Sequence, residues 1–236
     1  MQKITDPGPR RRMALSSHAL ALADALAPDP YGRPSLPAAS VQVANLLVTM
    51  AAIDKVDSRV IIPWHDSGMC GIPEESDRAS ATAAVLTASV RLQYAWAALE
   101  QLLAELPKIG SQAHMRTEER MVRRTSEGQS LEHADCTARR LVRATATLFA
   151  RQHLPAPDLA DLGDLDAFSS GAALRCARLV RNKIIHGNIA EVATSDFGGD
   201  GFLQAAVSDE ASRAALFAIQ RLSLASVAYV PCKFAV

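Results

Sequence analysis

Apolar side chains recur at three-and-four spacing along most of the chain, the signature of helices that each bury one face. The first such segment, about residues 12–27, is stopped by Pro28, Asp29 and Pro30. The second starts at Ser40, whose hydroxyl suits an N-cap, and runs through Val41, Ala44, Leu47, Val48 and Ala51. Over residues 54–75 the period is lost, which predicts a long loop with one short strand near residues 60–63. From Ser76 to about Leu106 the stripe is continuous, with Leu92, Ala95, Trp96, Leu99, Leu102, Leu103 and Leu106 in register before Pro107 and Gly110. Further helices are predicted over about residues 114–127, 130–153, 171–186 and 208–230. The stripe of the second of these is Leu141, Ala144, Thr145, Leu148 and Phe149, closed by Pro155 and Pro157. Residues 188–207 break the pattern. Around Phe197, Gly198, Gly199, Asp200, Gly201 and Phe202 they read as a turn between two short runs, a small β-hairpin insertion.

These elements predict an all-α fold: a mostly helical domain over residues 76–236, with residues 1–75 as a helical extension and loop packed on it. The 236 residues are 49% apolar, enough for a sizeable core and too many for a disordered chain. No apolar run approaches the roughly 20 residues that cross a bilayer. Arg10, Arg11 and Arg12 before a mildly apolar stretch imitate a secretory leader, but Ser16, Ser17, His18 and Asp24 interrupt it, and an amphipathic helix fits better. Cys70, Cys136, Cys176 and Cys232 are far apart, which suits reduced thiols in a cytoplasmic protein rather than a disulfide framework or a zinc ribbon.

The 25 basic and 25 acidic residues cancel, which argues against a protein that coats nucleic acid indiscriminately. Cancellation hides a segregation. Residues 158–166 hold four aspartates and no base, whereas residues 171–187 hold Arg175, Arg178, Arg181 and Lys183 and no acid. On a helix of about 100° per residue, with Arg175 at zero, Arg178 falls near 300°, Asn182 near 340° and His186 near 20°. These polar groups share one arc; Ala173, Ala177, Val180 and Ile184 lie opposite, between roughly 140° and 200°, and Arg181 sits at the border near roughly 240°. His186 then ends the helix just before Gly187, a fitting αL cap, where the helix dipole favours an imidazolium.

A group titrating near neutrality beside guanidinium donors is what phosphodiester cleavage needs. Imidazole can take a proton from a ribose 2′-OH or give one to the leaving oxygen, while arginine stabilises the charge developing on phosphorus. Asparagine can hold the ring or a phosphate oxygen in place.

Arg181, Asn182, Lys183, Ile184, Ile185 and His186, led by Leu179 and Val180 and followed by Gly187, resemble the signature of the HEPN superfamily, in which Arg and a polar residue precede a His near the end of a bundle helix. The resemblance implies an all-helical bundle of long up-and-down antiparallel helices that forms a homodimer with two motifs face to face. It also implies, as in many members, a metal-independent ribonuclease leaving 2′,3′-cyclic phosphate ends, with no cofactor. By position His186 would be the general acid/base, Arg181 the phosphate-stabilising arginine and Asn182 its polar neighbour. Arg175, Arg178 and Lys183 would support RNA binding. A small-Leu-Glu stretch on an earlier helix is similar to Ala98, Leu99 and Glu100, so Glu100 would orient the motif arginine. Many such proteins are toxins or anti-phage factors, some restrained by a nucleotidyltransferase-like antitoxin. The alternative is a module of the same fold that binds RNA, a nucleotide or a protein without cutting.

The same residues also fit a plain helix end whose arginines pair with the aspartates of residues 158–166 and whose histidine caps carbonyls. Trp64, His65, Asp66 and Cys70 lack the spaced partners that a metal or Cys/His site requires. His114, His133 and His153 read as capping or solvated groups. Residues 198–201 lack the strand and following lysine of a phosphate loop. Tyr94 and Trp96, set among leucines, read as core or dimer contacts rather than base-stacking platforms.

Overall fold

The computed structural model describes residues 13–27, 40–56, 72–106, 132–151, 170–185 and 199–228. Six helices make up this part: α1 (Leu15–Leu26), α2 (Val41–Ala52), α3 (Ile72–Glu105), α4 (Glu132–Arg151), α5 (Ser170–Ile185) and α6 (Gly199–Ala228). The fold is all-α, and the described residues contain no strand.

Each helix starts or stops where local chemistry dictates. Ser40 stands in extended conformation as the N-cap of α2, its Oγ accepting from Val43 N at 3.2 Å, while its own N–H donates to Leu26 O at 3.0 Å and ties α2 to the end of α1. Ser40→Ala is expected to cost about 1 kcal/mol, lowering the thermal midpoint by about 2–4 °C in a calorimetric scan. Beyond α2, Arg91 of α3 donates through Nε to Ile53 O at 2.8 Å, a cation on the carbonyl end of the helix. Val56 N donates to Thr87 Oγ1 at 2.9 Å, and that hydroxyl donates to Ala83 O at 2.6 Å.

α6 lies at the centre, packed on α1, α3, α4 and α5, with α2 filling the space between α1 and α3. Buried leucines of α3 (Leu92, Leu99, Leu102, Leu103) share one core with Leu47 and Met50 of α2, Leu148 and Phe149 of α4, and Leu216, Ile219 and Leu222 of α6. Leu15, Leu22 and Leu26 of α1 belong to the same core, so the amphipathic reading of that segment holds and the expected extension shares the interior of the rest. The Ser40–Leu26 bond sets the start of α2 beside the end of α1, and the Arg91 and Thr87 bonds set the end of α2 beside the middle of α3. α6 runs in the same sense as α3, since Val85 and Ala88 meet Ala205 near one end and the Arg91 and Asp209 charges meet further along both helices. α1 follows this direction too: Met13 O accepts from Arg213 Nη1 at 2.8 Å, and the His18 ring lies 4.9 Å from that of Phe217. Small residues at the α3/α6 contact let the backbones approach, and the buried hydroxyls of Ser212 and Ser223 donate to the carbonyls four residues back.

The expected hairpin is corrected over its second half. Residues 199–207 form the first turns of α6; residues 188–198 lie outside the described residues, as do those predicted as a short strand near 60–63 and as a helix over 114–127. Two glycines cost about 1 kcal/mol each in a helix interior, but here they stand in the first turn. The strong helix formers that follow decide the outcome.

Asp209 occupies the α3/α6 contact with its Oδ1 buried and without a hydrogen-bond partner among the described residues. Burial pushes its carboxyl above the usual aspartate value, the Arg91 and Arg213 guanidinium groups pull it back, and Glu210 pushes it up. A folded-state pKa raised above the unfolded one means that the fold binds this proton more tightly. The ionised group therefore costs stability at neutral pH, and the cost disappears as pH falls through the raised value to below the ordinary one. Asp209→Asn is expected to unfold at higher urea than the wild type at neutral pH, with the gap closing as pH falls below the ordinary carboxylate range. A constant gap across that range would contradict this.

Candidate functional site

The faces of α5 follow its angular arithmetic. Ala173, Leu174, Cys176, Ala177 and Val180 are buried against α4 and α6, and Arg175 and Arg178 are exposed. The core contact removes the Cys176 thiol from water and pushes its pKa up to about 12, so it stays protonated at neutral pH and is no nucleophile.

Arg181, at the border of the two faces, is half-buried. Its guanidinium carbon lies 5.8 Å from the centroid of the Trp96 ring on α3, within the range of a cation–π contact. Trp96 itself is only 2% exposed, and its indole Nε1 donates to Glu100 Oε1 at 2.8 Å, one turn further along α3. Arg181 Nη1 donates to the neighbouring Asn182 Oδ1 at a long 3.5 Å. Its Nε is buried and has no hydrogen-bond partner among the described residues. A guanidinium carries five N–H donors in a rigid fork, and here one of them has no partner among the described residues. An aromatic face attracts the cation without neutralising it. A guanidinium held in this way can pair with an anion whose oxygens accept N–H bonds.

Asn182 and Lys183 are half-buried beside it, and the exposed Ile185 ends the helix. His186, the next residue, lies outside the described residues, as do Gly187, the aspartates of residues 158–166, and Trp64, His65, Asp66 and Cys70. The structure thus brings Arg181 and Asn182 together on the border of α5, with Arg175 and Arg178 on the exposed face.

Glu100 reaches Arg181 only at one remove. It is exposed and accepts from Trp96, and the Trp96 ring meets the guanidinium. Trp96, which its sequence neighbours mark as a core or dimer contact, has a further role in this site. It is in the core, and it also forms the wall beside the arginine. The only sequence signal for that second role was its position one turn before Glu100. Tyr94, as expected, packs against the core.

Comparison of the chain with protein-family models, with curated proteins and with solved structures found no match in any of the three.

Proposed function

We propose that the chain is a HEPN-type endoribonuclease that cuts RNA without a metal, as a homodimer whose cleft receives Arg181, Asn182 and His186 from both copies. The observation that carries this reading is the half-buried Arg181, held against Trp96 beside Asn182 with its Nε unused among the described residues. In the proposed reaction the His186 imidazole takes the proton of a ribose 2′-OH, and the 2′ oxygen bonds to phosphorus. The bond from phosphorus to the 5′ oxygen breaks, and an imidazolium gives that oxygen a proton, leaving a 2′,3′-cyclic phosphate and a 5′-hydroxyl. Arg181 stabilises the negative charge that builds on the phosphoryl oxygens; Asn182 positions the guanidinium or a phosphate oxygen. Lys183, Arg175 and Arg178 supply further positive charge, and Glu100 acts through Trp96 as a positioning residue. A nuclease of this kind, acting in the cytoplasm as a toxin or in anti-phage defence, needs restraint, for which a nucleotidyltransferase-like antitoxin is the fitting partner.

The test is cleavage of end-labelled RNA in excess EDTA by the wild type and by His186→Ala, with the mass of each in solution measured by light scattering. Expected are a dimer, cutting by the wild type, and a rate lower by about 10²–10⁴ in the variant. RNA binding with no cutting by the wild type would favour the non-catalytic module instead. A monomer that cuts would remove the two-motif cleft.

A further inference from the structure

α4 and α5 pack on each other and both pack on α6, so their exposed faces belong to neighbouring helices. The core side of α4 is Leu141, Thr145, Leu148 and Phe149. Its opposite side carries Arg139, Arg140, Arg143 and Arg151, all exposed, interspersed with exposed Ala146, Thr147 and Ala150. From Cys136 to the end of α4 there is no acid, and α5 has none at all. Two adjacent helices therefore concentrate basic side chains on one side of a chain whose net charge is zero. Neither the HEPN-like motif nor the helical period requires arginines on α4; a solvated face is normally laced with both signs of charge.

We infer that the outer faces of α4 and α5 form one continuous binding surface for the phosphate backbone of single-stranded RNA, leading to Arg181. Arg140, Arg143 and Arg175 carry the inference: their side chains are exposed and make no ion pair with any described residue. From Arg139 to Arg151 the face runs about 18 Å at 1.5 Å per residue, long enough for several successive phosphates. Guanidinium forks suit phosphate oxygens, and among the described exposed side chains of the two helices none is aromatic and able to stack on a base. The surface therefore holds the strand in place without reading its sequence. A single strand fits better than a duplex: attack by a 2′-OH needs that oxygen in line with the leaving oxygen, a geometry that the A-form helix withholds. The choice of a single strand and its destination at Arg181 rest on the nuclease reading; the phosphate-binding surface itself is tested without cleavage.

The probe is a 2′-O-methyl oligonucleotide long enough to span both helices, which cannot be cut by 2′-OH attack. Its affinity for the full chain is measured by fluorescence anisotropy over a series of salt concentrations, for the wild type and for Arg140→Glu/Arg143→Glu. Both substitutions are at exposed positions, and circular dichroism and the thermal midpoint verify that the fold is kept. The expected result is an affinity lower by about tenfold or more for two unrelated sequences alike. The slope of log affinity against log salt should fall by roughly 1.4, or about 0.7 for each phosphate that is no longer neutralised. Unchanged affinity and slope in a folded double variant would overturn the proposal. So would a wild type that ignores the oligonucleotide but binds polyglutamate through the same arginines, which would make the face a site for an acidic protein. Weakened binding of the oligonucleotide alongside no cleavage of natural RNA would leave the surface standing and remove the nuclease.

Discussion

Arg181→Ala is expected to lower RNA cleavage by about 10²–10³-fold, the usual loss on deleting one donor to a developing oxyanion, while moving the thermal midpoint by no more than about 2–4 °C. The two effects separate because of how the side chain is held. Arg181 gives the folded state one cation–π contact, worth about 0.5–2 kcal/mol, and one long hydrogen bond to Asn182. Against these stand the loss of water around the guanidinium and the buried Nε without a partner among the described residues. Removing the group therefore forfeits little net stability, whereas the loss of its positive charge is felt in full by a phosphoryl group on which negative charge builds. Arg181→Lys should recover part of the rate at best, since an ammonium keeps the charge but not the planar fork. Initial rates and melting curves on one preparation of each variant check both halves. A large fall in midpoint with a proportionate fall in rate would mean that Arg181 is a structural residue.

Trp96→Ala is expected to show the opposite balance, costing about 3–5 kcal/mol in denaturant unfolding, the cost of emptying a large aromatic from a core. Trp96 is 2% exposed and shares its core with Leu92, Leu99 and Leu103, so the vacated space cannot fill with water cheaply. The same substitution takes away the wall beside Arg181, so cleavage by whatever fraction stays folded should fall as well. Trp96→Phe distinguishes the two roles. It keeps an aromatic face for the guanidinium and loses the N–H to Glu100, whose carboxylate is exposed and can turn to water. Stability should drop by only about 1–2 kcal/mol and cleavage below the midpoint should be largely kept. If Phe and Ala were equally inactive while Phe stayed folded, the link to Glu100, and not the ring face, would be what positions Arg181.

The helices were legible wherever one face is buried and the other is not. α5 is the clearest case: the arithmetic that put Ala173, Ala177 and Val180 inward and Arg175 and Arg178 outward, with Arg181 between them, agrees with their burial. Ser40 was legible as a cap because capping is decided by its nearest neighbours. Two features were not. Residues 199–207 read as part of a hairpin because Gly199 and Gly201 look like turn residues, yet a glycine costs a helix little in its first turn, and the apolar stripe that follows recruits them. The meeting of Arg181 with Trp96 joins residues far apart in sequence, on helices that touch only lightly, and no periodicity within either helix encodes it. The cationic face of α4 stands between these cases. Its arginines were countable, but their meaning depends on α4 lying against α5.

The most direct measurement of the central claim is the chemistry of the cut ends. RNA incubated with the purified chain in EDTA should yield fragments ending in 2′,3′-cyclic phosphate and beginning with 5′-hydroxyl, and neither end should form above background with His186→Ala. RNA that stays intact, or fragments with 5′-phosphate ends, would contradict the assignment of Arg181, Asn182 and His186 as the groups that drive 2′-OH attack.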